Sequence, residues 1–115
     1  GAGLVEAMKA AKQLEGEYEV EVINVHTIKP IDKETLVRSA KKTGRVITVE
    51  EHSIVGGLGS AVAEVLAEMC PTKMRRIGMP DLFGESGEPE ELMKKYGITC
   101  ENIILEIKNI IKKND

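Results

Sequence analysis

Apolar and polar positions along this chain change period several times, and each change marks an element. Leu4, Val5, Met8, Ala11 and Leu14 recur at helical spacing, which predicts a helix over Gly3 to Glu15 with one buried stripe, ended by Gly16. Tyr18 to Ile28 begins by alternation, Val20 and Val22 against Glu19 and Glu21, and turns mostly apolar at Ile23 and Val25. That reads as a strand whose second half is covered on both faces, as parallel α/β sheets require. Lys29-Pro30 stops it, since proline cannot donate to a ladder. Asp32 is the expected N-cap of a helix carrying Leu36, Val37 and Ala40 inward. Lys41 and Lys42 sit near its negative end, and Gly44 is its left-handed stop.

The stretch from Arg45 to Ser60, RVITVEEHSIVGGLGS, organises the rest. An apolar strand (Val46, Ile47, Val49) runs into Glu50, Glu51, His52 and Ser53, and a glycine turn (Gly56, Gly57, Gly59) opens an amphipathic helix. Leu58, Ala61, Val62, Val65, Leu66 and Met69 form that helix's inner face, and Pro71 closes it. Met74 to Ile77 is a short strand ending at Gly78, followed by a polar loop from Met79 to Glu88. Pro89 suits a first helical position, and the helix runs through Leu92 and Met93 to Gly97. Thr99 caps the last helix, whose stripe is Ile103, Ile104, Ile107, Ile110 and Ile111.

The order α-β-α-β-α-β-α-α predicts an α/β fold, a three-layer α/β/α sandwich with a mostly parallel sheet and right-handed crossovers. The chain opens on a helix where a strand should feed it, and three strands make a small sheet to cover on two faces. The expectation is one domain over residues 1–115 that has been cut at its N-terminal side, or that relies on strands supplied by a preceding polypeptide.

Composition narrows the function classes. A chain of 115 residues supports one core, and with 42% hydrophobic and 30% charged residues it reads as a globular domain. Aromatics are only 3%, too few for base-stacking platforms, and the net charge of -3 argues against a phosphate-backbone partner, so no nucleic acid is expected. No apolar run approaches the roughly 20 residues that span a bilayer, and no charged-then-apolar leader marks a secretory signal. A cytoplasmic location without membrane contact is expected. Cys70 and Cys100 stand apart, most simply as reduced core thiols.

Two clusters invite chemistry. Gly56, Gly57 and Gly59 with Ser60 form a helix-opening turn of the kind that attracts anions, and His52 lies close by in sequence. A dinucleotide fingerprint would need a glycine at Val62, and a P-loop would need GK[ST]. The plainer reading is that these glycines let the chain turn sharply and the helix pack closely. Glu50, Glu51, His52 and His26 form a polar strand-end cluster, in which alternation puts Glu50 and His52 on one face and Glu51 on the other. Such a pair suits an acid/base dyad or a structural hydrogen bond; with no nucleophile at readable spacing, the structural reading is preferred. Two histidines are too few for a zinc site, so no metal is expected in this chain. On the loop, Phe83 among Asp81, Glu85 and Ser86 reads as an anchor or subunit contact.

VINVHTIKPID (Val22 to Asp32), TVEEHSIVGGLGSAVAE (Thr48 to Glu64), RIGMPDLFGESGEPEEL (Arg76 to Leu92) and YGITCENI (Tyr96 to Ile103) together resemble the C-terminal domain of transketolase. The VEEH-to-GGLGSA stretch also resembles deoxyxylulose-phosphate synthase and, more distantly, the beta subunits of 2-oxoacid dehydrogenases. FGESG tips the likeness to transketolase, especially its split form. The resemblance implies transfer of a two-carbon ketol unit between sugar phosphates, with thiamine diphosphate and Mg2+ in the complete enzyme. The family's GDG motif and activating glutamate belong to other domains, so the resemblance implies no catalytic residue and no cofactor in this chain. Its implied role is support and assembly, partnered by the N-terminal section in a homodimer or heterotetramer. The alternatives are a regulatory module for an anion or sugar phosphate, and a docking domain of a dehydrogenase-like or synthase-like enzyme. Family members begin this domain with strands ahead of the first helix.

Overall fold

Two parallel strands, β1 (Arg45–Ser53) and β2 (Lys73–Met79), form the sheet in a computed structural model that describes residues 2–24, 31–53, 57–79 and 87–112. Around them lie α1 (Ala2–Gln13), α2 (Lys33–Thr43), α3 (Leu58–Met69), α4 (Pro89–Lys95) and α5 (Cys100–Lys112). Local chemistry sets the ends of these helices. Asp32 accepts the Thr35 N–H at 3.1 Å and the Thr35 hydroxyl at 2.7 Å, while Gly44, at φ 78°, returns its N–H to the Ala40 carbonyl at 2.7 Å. At the start of α5 the Thr99 hydroxyl oxygen accepts the Asn102 N–H at 3.2 Å.

β1 is a stiff β-branched run from Val46 to Val49, and the alternation of both strands feeds two cores. On one face Ile47 and Val49 of β1 join Ile77 and Met79 of β2 against Ala10 of α1 and Ile103 of α5. Ile98, 1% exposed, anchors that face, and burial of an aliphatic side chain on this scale is worth about 1.5–3 kcal/mol. On the other face Val46 and Met74 meet Leu36 and Ala40 of α2 and Val62, Val65 and Leu66 of α3. Helices on both faces of a parallel sheet make the expected three-layer α/β arrangement. Among the described residues, no helix is long and apolar enough to cross a membrane.

Four expectations change. Val5 and Met8 of the expected buried stripe of α1 are 50% and 56% exposed, because the packed face of the helix runs through Ala7, Ala10 and Leu14. Tyr18–Asn24 is not a strand, and residues 25–28 of the expected strand lie outside the described residues. A cleft of about 770 Å³ separates this segment from β1, which removes the ladder that alternation alone cannot supply. Side chains tie it to α2 instead: Ser39 donates to Glu21 at 2.7 Å, and Lys42 pairs with Glu21 at 2.7 Å and Glu19 at 3.3 Å. Met69 is 53% exposed rather than inward, because it sits in the last turn of α3, past the reach of the core. The second described strand also extends further than Met74 to Ile77. The loop residues Asp81, Phe83, Glu85 and Ser86 lie outside the described residues.

Candidate functional site

β1 delivers its polar end to the first turn of α3. Glu50, paired in register with Gly78, is 7% exposed and on the α3 side of the sheet. Its Oε1 accepts the Leu58 N–H at 2.7 Å and its Oε2 the Gly59 N–H at 3.0 Å. These are N–H groups that an isolated helix leaves without partners, and they carry the positive end of the helix dipole. Gly59 is buried in the contact: a Cβ there would stand 2.9 Å from Glu50 Oε2 and 2.5 Å from Arg76 Nε. Arg76 reaches across from β2, where its register partner is Thr48, and its Nη2 donates to the Ser60 hydroxyl at 3.1 Å. The glycine at this position is therefore required by close approach of two charged side chains.

The turn that invites an anion already holds one of its own. A diphosphate at Leu58 and Gly59 would have to displace a buried carboxylate, so these residues do not fit the cofactor's phosphates. Among the described residues, no group of three or more His, Cys, Asp and Glu side chains gathers where a metal ion could sit.

The polar cluster is divided by the sheet. Glu51 lies on the opposite face from Glu50, where a Cβ on Gly3 of α1 would be 3.2 Å from Glu51 Cγ. The ladder is irregular between Glu50 and Ser53, so the pairing with β2 is not continuous through the expected polar cluster. His52 belongs to β1, but its side chain lies outside the described residues, as do His26 and Gly56. Gly57 is the N-cap of α3, in extended conformation and without a side-chain bond. The structure thus brings together Glu50, Gly57, Gly59 and Ser60, and adds Arg76.

Sequence reasoning missed Arg76 and two further charged contacts. Glu6 of α1 accepts the Cys100 N–H at 2.8 Å, capping α5 from another element, and also pairs with Lys9 at 3.2 Å. The Cys100 amide, then Lys9, hold the Glu6 carboxyl below the ordinary glutamate range. At the other end of α5, Arg45 Nε donates to the Ile110 carbonyl at 3.1 Å. Glu6 and Cys100, and Arg45 and Ile110, lie far apart in sequence, so only the assembled fold reveals these two contacts. Cys100 itself is buried, and desolvation pushes its thiol up, away from the reactive thiolate.

Comparison with known proteins follows the same outline. The sequence profile of the family described as "Transketolase, C-terminal domain" matches residues 1–103. The chain is 50% identical over 105 residues to the 6-deoxy-6-sulfo-D-fructose transketolase subunit SqwH of Clostridium sp. (strain MSTE9), covering 90% of this chain and 33% of that protein. It is 42% identical over 105 residues to the 1-deoxy-D-xylulose-5-phosphate synthase of Heliobacterium modesticaldum (strain ATCC 51547 / Ice1), covering 90% of this chain but 16% of the synthase. Among solved structures, a split gene transketolase, as an inactive beta4 tetramer, superposes with a TM-score of 0.86 at 46% identity. That match covers 96% of this chain and 37% of the other. The chain spans a third or less of the curated relatives named here.

Proposed function

Because the chain belongs to the transketolase C-terminal domain family, we propose that it acts within a transketolase of split type, as part of the C-terminal section. There it supports transfer of a two-carbon ketol unit between sugar phosphates, in a cytoplasmic assembly with an N-terminal section. Thiamine diphosphate and its metal are held by the rest of the enzyme, and this domain contributes assembly rather than catalysis.

The observation that carries this reading is the occupied first turn of α3. Glu50 spends both carboxylate oxygens on backbone N–H groups, so the group best placed for acid/base work is committed to holding β1 against α3. A rigid strand-to-helix joint suits a domain that positions neighbours.

The test is transketolase turnover with this chain and an N-terminal section from a split transketolase, separate and mixed. Activity only on mixing is the expected result. Turnover or micromolar thiamine diphosphate binding by this chain alone would overturn the proposal. The likeness to 1-deoxy-D-xylulose-5-phosphate synthase gives a second reading. Formation of 1-deoxy-D-xylulose 5-phosphate by the mixture, without ketol transfer, would favour it.

A further inference from the structure

We draw no further inference here: the strongest candidate, the outer surface of the α1 and α5 layer, where Val5, Met8 and Leu105 are exposed, carries nothing because nothing in the structure shows what covers it.

Discussion

Glu50 and Glu6 perform the same act in different surroundings. Each reaches from one element to accept backbone N–H groups at the start of a helix elsewhere in the fold. Glu50 sits at the end of a strand, 7% exposed, and takes two N–H groups next to Arg76. Glu6 lies on a helix surface with its side chain 21% exposed, takes one N–H, and shares its charge with Lys9. Solvent can replace much of what Glu6 supplies, and little of what Glu50 supplies. Burial rather than chemical type therefore decides how much each carboxylate matters, and whether it resembles a catalytic group when seen in a sequence.

The largest expected break in this comparison is Glu50→Ala. Losing two charge-assisted hydrogen bonds from a buried site should cost about 3 kcal/mol or more, measured by urea unfolding. A loss within 0.5 kcal/mol, on the order expected of an ordinary surface change, would remove Glu50 from its clamp role. Gly59→Ala comes next. Its new methyl meets Arg76 and Glu50, and part of the collision is relieved by moving the arginine, so about 1–3 kcal/mol is expected. Adding Arg76→Ala to Gly59→Ala should recover part of that loss; a double variant as unstable as the sum of the singles would place the strain elsewhere.

The smallest effect, Glu6→Gln, sharpens the contrast through pH. The folded-state pKa of Glu6 is lowered, so its contribution is fully present above the unfolded glutamate value, about 4.3. It is lost as pH falls through the lower folded value. The native protein should thus exceed Glu6→Gln by about 1 kcal/mol near neutral pH, with the gap closing in acid. A gap that stays constant from neutral pH to pH ~3 would show that the cap does not depend on its charge.

Much of the fold was legible because local chemistry and global packing agree. The Asp32 cap, the Gly44 stop, the Thr99 cap and the isoleucine stripe of α5 each depend on residues within a few positions of one another. Over Tyr18–Asn24 the expectation of a strand fails for the opposite reason. The alternation there describes a surface that would fit a sheet, whereas a strand also needs a neighbour, and that information lies outside the segment. The candidate site was legible in location but less so in role. The strand end, the glycine turn and the helix are all visible in the sequence, yet nothing in the spacing of Glu50 to Leu58 says that the carboxylate turns back onto the helix. Arg76 was invisible because its link to Ser60 depends on the register of β1 with β2.

The two side chains at the ends of α5 bear on how the molecule comes together in time. Its opening amide is held by Glu6, 94 positions earlier, and its closing carbonyl by Arg45, 65 positions earlier. Such long sequence separations raise contact order, which slows folding because loops must close before their contacts are formed. During synthesis the first helix must therefore wait until α5 has been made before its carboxylate finds the amide it caps. Until then the apolar faces of both helices stay uncovered, which makes the interval before they meet the stage most open to misassociation.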